Sequence, residues 1–178
     1  MEISSSTLPA VAAEHATMFV ALELSKSSWL VALHSPVADK VSLHRFVGGD
    51  VAGLLALIAR KQTQAKARLG RTIRVLSCYE AGYDGFWLHR LLCARGIDNR
   101  ILDAASILVD RRSRRAKTDR LDAAGLLRTL MALDRGESRV CRVARVPSVA
   151  QEDARRRAGN APGWSSNVVS IRTASRAY

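Results

Sequence analysis

Residues Met18 to Phe46, MFVALELSKSSWLVALHSPVADKVSLHRF, carry the pattern that decides the fold. Met18–Leu24 is an apolar run of strand length, interrupted once, by Glu23. Ser25-Lys26-Ser27-Ser28 is turn chemistry. Trp29–His34 reads as a second strand, and Ser35-Pro36 with Asp39 breaks it. Val41–Phe46 reads as a third, with partial alternation. Connections this short join strands antiparallel, because a parallel partner needs a crossover of about a dozen residues or more.

Working outward, the pattern changes period. Gly48-Gly49-Asp50 ends the meander, and Asp50 is placed to cap a helix. Leu54, Leu55, Leu57 and Ile58 follow at helical spacing and predict a helix to about Ala67. Ile73–Tyr79 predicts a strand that ends at Glu80. Gly82 and Gly85 loosen the next turn. Phe86 to Leu92 predicts a helix halted by Gly96, with Phe86, Trp87 and the earlier Trp29 assigned to the core. Ile97–Leu102 predicts another strand. Ala104–Ala116 reads as helix or loop, and a last helix opens at Asp119 and runs to about Leu133. The order β-β-β-α-β-α-β-α predicts an α/β fold, a mixed sheet with helices packed on it.

Past Leu133 the signal thins. Val140–Val146 is basic and alternating. Ser148 caps a further helix, with Gln151 at the capping-box position, and that helix runs through Arg157. From Ala158 to Tyr178 there is no acid and no periodicity. The expected organisation is a loose leader over 1–17 and the α/β domain over 18–135. A connector and the start of a helical arm cover 136–157. An irregular tail, read as out-of-frame translation, covers 158–178.

Composition narrows the function. A chain of 178 residues that is 48% hydrophobic can build a core and is not of disordered type. Its formal net charge is +12 and its pI about 10.8. That excess favours a polyanionic partner, most simply DNA or RNA, since each neutralised phosphate releases counterions. The longest apolar run, Val51 to Ala59, is far short of the roughly 20 residues that span a bilayer, so no membrane role is expected. Three cysteines without metal-type spacing point to a reducing compartment, and the cytoplasm is the expected location.

Four carboxylates stand out against this background. Lys117-Thr118-Asp119-Arg120-Leu121-Asp122-Ala123 sets Asp119 and Asp122 three apart. On a helix that spacing puts them about 60° apart and about 4.5 Å along the axis. Glu23 interrupts a buried-looking strand and Glu80 ends another. A charge in such a place is costly unless it is paired or bound to metal. Four acids meeting in space would repel one another without divalent cations. A two-metal phosphoryl-transfer site on nucleic acid answers that problem. The cationic run Arg111, Arg112, Arg114, Arg115 and Lys117 stands beside the aspartates, in place to contact phosphates. The competing reading of Asp119 and Asp122, acids favoured by a helix dipole, needs no metal. Asp84, Asp103 and Asp110 suit turn and cap roles better than ligand roles. His34, His44 and His89 show no partner pattern.

With these residues in view, the chain resembles the N-terminal, RuvC-like DEDD domain of the insertion-sequence 110 family of transposases. The KTDRLDA string of Lys117–Ala123, preceded by its basic run, is the most specific match. Tyr79-Glu80-Ala81-Gly82 before an aromatic helix is the second. Leu22-Glu23-Leu24-Ser25-Lys26 matches the first-strand motif, with Glu23 where the family carries aspartate. The resemblance covers roughly Phe19 to Asp153. It implies an RNase H-like fold in which Glu23, Glu80, Asp119 and Asp122 bind Mg²⁺ or Mn²⁺. It also implies cutting and rejoining of DNA to mobilise an insertion sequence, with an element-encoded RNA as guide and assembly into homo-oligomers. The family's C-terminal domain, with its nucleophilic serine, has no counterpart here, so a truncated transposase is expected. Two other readings stay open: a fragment that binds nucleic acid without chemistry, and a single-domain Holliday-junction resolvase-like nuclease.

Overall fold

A computed structural model describes residues 15–82, 86–107 and 119–157, the side chains of 119–121 and 155–157 excepted. It is an α/β structure around one mixed sheet. Strands β1 (His15–Leu24), β2 (Ser28–His34) and β3 (Ser42–Val47) form the antiparallel meander. Helix α1 (Val51–Leu69) crosses to β4 (Thr72–Glu80), and α2 (Trp87–Ala94) to β5 (Asp98–Leu102). Helix α3 (Asp119–Asp134) follows a short 3-10 turn at Ala104–Ser106. The sheet order is β3-β2-β1-β4-β5, with β1 parallel to β4 and β4 parallel to β5.

Strand β1 is central, and both its faces are covered. Met18, Val20 and Leu22 pack with Leu54, Leu57 and Ile58 of α1 and Leu88 and Leu92 of α2. On the other face, Ala21 with Leu30, Ala32, Leu76 and Cys78 meets Ala123, Leu126, Leu127 and Leu130 of α3. Burial on two faces is why β1 reads as a near-continuous apolar run rather than an alternating one. It also explains why Glu23 looked out of place.

Boundaries differ from the sequence pattern where pairing decides them. β1 starts at His15, three residues early, because its parallel register with β4 continues to His15 opposite Thr72. The basic stretch over 140–146 is not a full strand. It makes a single antiparallel bridge, Val143 to Leu102, with Asp103 N donating to Arg142 O and Ala144 N to Ile101 O. That segment covers the outer edge of β5, which would otherwise expose unpaired backbone groups. Trp87, assigned to the core, is 39% exposed, although its ring lies 6.4 Å from that of buried Trp29. Being the first residue of α2 sets it at the rim of the core.

The N-caps are as the sequence predicts, and α1 runs two residues past its expected end. Asp50 accepts from Gly53 N at 2.8 Å, and α1 stops at Gly70, whose φ of 63° favours glycine. The chain divides at Val146, and helix α4 (Val149–Arg157) lies in the second part. There Ser148 and Gln151 form the expected reciprocal capping box, at 3.2 and 3.0 Å.

Arg74 ties β4 to two neighbours. Its Nη2 lies 2.6 Å from Asp98 of β5, and its Nη1 lies 3.0 Å from Asp134 at the end of α3. All three side chains keep partial solvent access, so screening holds the gain to about 1 kcal/mol. Arg74→Gln is expected to lower the thermal midpoint by about 2–4 °C, read by circular dichroism.

Candidate active site

The two glutamates come from neighbouring parallel strands. β1 and β4 pair with Leu22 opposite Tyr79, and the same register carried one residue further sets Glu23 beside Glu80. Adjacent strands are about 4.8 Å apart. Side chains alternate along a strand, so Glu23 shares a face with Ala21, and Glu80 with Cys78. Both of those residues lie in the core beneath α3. The pair therefore stands at the C-terminal ends of two central strands, on the α3 face.

Helix α3 runs back along β4, and two contacts set its phase. Cys78 Sγ donates to Leu126 O at 3.8 Å, and Arg74 meets Asp134. Cys78 and Arg74 are four strand residues apart, about 13 Å. Leu126 and Asp134 are eight helix residues apart, about 12 Å. Strand and helix keep step in opposite directions. Two residues beyond Cys78 comes Glu80, about 6.6 Å on. One turn before Leu126 comes Asp122, about 6 Å the same way. Glu80 and Asp122 thus lie at one level of the same face.

The helical stripe agrees. Ala123, Leu126, Leu127 and Leu130 are buried against the sheet. Asp122 and Asp119 continue that stripe toward the helix start, at i−4 from Leu126 and Ala123. Asp122 is half-buried, as is Glu23 between Leu30 and the glutamate of β4, whereas Glu80 is exposed. The Asp119 side chain and the run Arg111, Arg112, Arg114, Arg115 and Lys117 lie outside the described residues. So do Asp84 and Asp110. Asp103 takes the cap role, accepting from Ala105 N at 3.1 Å. Among the described residues no three His, Cys, Asp or Glu side chains are close enough together to hold a metal ion.

The charge of Glu80 is felt at Cys78 in the core. Burial, and then the charges of Cys141 and Glu80, push the Cys78 thiol well above its ordinary range, while Arg100 opposes them. Arg100 is the register partner of Cys78 on β5 and so faces α3 too. Sequence reading did not single it out. The available signal was a cation in phase with Leu102 inside a strand of buried character.

The opposite face holds a polar network with no such chemistry. Ser77 Oγ donates to Asn99 Oδ1 at 2.7 Å, and Asn99 Nδ2 lies 3.0 Å from His89 Nδ1. Burial first, then Arg90, lowers the His89 pKa below its ordinary 6.5. The unfolded chain therefore takes up this proton first as pH falls. The stabilising contribution is full above about pH 6.5 and is lost on acidification through the lower folded value. His89→Gln is expected to lose less thermal stability between pH 7.5 and 5.5 than the parent chain, in melts followed by circular dichroism.

Fold and site together define an α/β domain with a row of carboxylates at the strand ends of a mixed sheet, beneath one helix. No protein-family model matches the chain. It is similar to a curated protein of Sinorhizobium fredii (strain NBRC 101917 / NGR234) named "Putative transposase y4rJ". The two are 49% identical over 140 residues, which is 78% of this chain and 35% of that relative. The chain thus spans about a third of the length of the relative it matches. Among the described residues no helix is long and apolar enough to cross a membrane.

Proposed function

We propose that this chain is the metal-binding domain of a DNA transposase of RNase H-like, RuvC-like fold, and that it serves to mobilise an insertion sequence. The observation that carries the reading is the common level of Glu23, Glu80 and Asp122 on the α3 face. The name of the 49% identical relative supports it. A mixed sheet with the order β3-β2-β1-β4-β5 is compatible with the fold.

The donor set fits a hard divalent cation. Every candidate ligand is a carboxylate, and oxygen-only donors suit Mg²⁺ or Mn²⁺ rather than softer metals. Glu23, Glu80, Asp119 and Asp122 would hold it. Bound there, the metal would neutralise charge on the attacking and leaving oxygens of a phosphodiester. The chain's own part is positioning. The β1 and β4 backbone would fix the glutamates, and the buried leucines of α3 would hold Asp122 over them. Arg111, Arg112, Arg114, Arg115 and Lys117, just before α3 in sequence, would grip phosphates without reading bases. An element-encoded guide RNA and homo-oligomeric assembly belong to the same proposal.

A second reading, nucleic-acid binding without chemistry, is supported by the described carboxylates, no three of which are grouped closely enough to hold a metal ion. One experiment separates the two. Mn²⁺ binding by the 178-residue chain is titrated by electron paramagnetic resonance, alongside Mg²⁺-dependent cleavage of labelled DNA. Binding and cleavage that both disappear in Glu80→Gln and Asp122→Asn support the transposase reading. Nucleic-acid binding with neither property supports the second.

A further inference from the structure

The sheet edge farthest from β5 carries a feature the carboxylate row does not use. A cleft of about 580 Å³ opens between β3 and α1, lined by Leu43, His44, Arg45, Phe46, Ala56 and Arg60, among others. It exists because the helix stripe facing β3 is small at its start. A Cβ on Gly53 would come within 3.0 Å of the Phe46 ring. The stripe then ends in a cation, Arg60. Between Val51 and Tyr79 the sequence contains no acid. The exposed side of α1 continues from the cleft as Arg60, Gln64 and Arg68, with half-buried Lys61 beside Arg60. Residues i, i+4 and i+8 form one ridge about 12 Å long.

Balancing charge is scarce here. Asp50, the nearest carboxylate in sequence, is turned onto the start of α1 as its cap. Among the described residues Arg60, Lys61 and Arg68 form no ion pair. Arg45, in register with Leu30, projects from the other side of the edge strand, the α3 face, where it donates to Ser28 Oγ at 3.4 Å, so the cations on the α1 side are those of the helix. His44 reports the local field. Burial and then Lys61 and Arg60 lower its pKa, so it stays neutral while its neighbours are charged. A cationic rim around a partly apolar floor suits a sugar-phosphate strand better than a small anion. The rim supplies several separated charges, and Phe46, on the α1 face, supplies apolar surface for sugar or base.

We propose that the β3–α1 cleft and the α1 ridge form a second nucleic-acid surface, gripping a phosphodiester backbone on the sheet face opposite the carboxylate row. Helix α1 packs on one face and α3 on the other, so a segment held here is distinct from one at the acids. The inference stands without a metal site. The recognised chemistry is phosphate, so DNA and RNA both qualify, and the assay tells them apart.

Binding of the 178-residue chain to a fluorescein-labelled 20-base-pair DNA duplex, to one of its single strands, and to the RNA of that sequence is measured by anisotropy. The measurement uses EDTA at several salt concentrations. Without divalent ions the proposed metal site gives no attraction, and the run from Arg111 to Lys117 contributes alike to parent and variants, so the difference between them reports this surface. The triple variant Arg60→Gln/Lys61→Gln/Arg68→Gln is expected to flatten the log–log salt slope by about 2 or more on duplex, at about 0.9 for each phosphate no longer neutralised. Its affinity at 100 mM salt should fall at least tenfold. The charge-preserving pair Arg60→Lys/Lys61→Arg should keep the slope. A triple variant that melts like the parent and keeps its slope overturns the proposal. So does a charge-preserving variant that loses as much as the triple one. If the triple variant unfolds, single Arg60→Gln decides, with a slope change of about 1 in favour and none against. A change confined to RNA, or to DNA, identifies the strand held.

Discussion

Asp122→Asn is expected to lower Mn²⁺ affinity and Mg²⁺-dependent DNA cleavage by more than about 100-fold. Residues one shell out from a metal already cost about 10–100-fold when changed, and a direct ligand should exceed that range. The substitution is nearly isosteric and sits on a half-buried helix position, so the fold should survive it. Glu80→Gln is expected to match it, because the exposed Glu80 bears little of the core. Glu23 offers a sharper test. Glu23→Gln should fall with the others, whereas Glu23→Asp should keep activity within about tenfold. Aspartate remains an oxygen ligand and shortens the reach by about 1.5 Å, one carbon–carbon bond. The readouts are Mn²⁺ titration by electron paramagnetic resonance and gel-resolved strand cleavage. An Asp122→Asn chain that binds Mn²⁺ as the parent does would sink the metal-site assignment.

The second large effect separates the two faces of the sheet. Leu127 on α3 and Leu54 on α1 are 1% and 0% exposed. Leu→Ala at either is expected to cost about 2–5 kcal/mol, because the cavity left behind relaxes only in part. Against a total of about 5–15 kcal/mol that is a large share, and urea melts should show it clearly. Function should divide the pair. Leu127 anchors the helix that carries Asp119 and Asp122, one turn after Ala123. Loosening it should weaken Mn²⁺ binding under conditions where both variants remain folded. Leu54 anchors the helix of the basic ridge, on the other face. Its alanine variant should leave Mn²⁺ binding near the parent value. Equal losses of Mn²⁺ binding in the two folded variants would mean that α3 packing does not position the acids.

Local chemistry was readable in the chain wherever one segment sufficed. The meander from Met18 to Phe46 has loops too short for anything but antiparallel pairing. Asp50 and the Ser148–Gln151 pair mark helix starts through backbone groups a few residues away. The i, i+3 spacing of Asp119 and Asp122 needs only the helical repeat. The prominence of Glu23 needs only its apolar neighbours. Tertiary structure decided what depends on partners distant in sequence. The parallel register of β1 with β4 sets Glu23 beside Glu80, and it draws His15 into a strand the local pattern begins at Met18. The sheet edge of β5 reduces an alternating stretch to the single bridge at Val143. The phase of α3, set by Cys78 and Arg74, brings Asp122 to the level of Glu80. Likewise His44, Phe46 and Arg60 line one cleft only because α1 crosses beside β3. Spacing along a chain fixes direction within an element, while distance between elements is set by packing, which no single segment encodes.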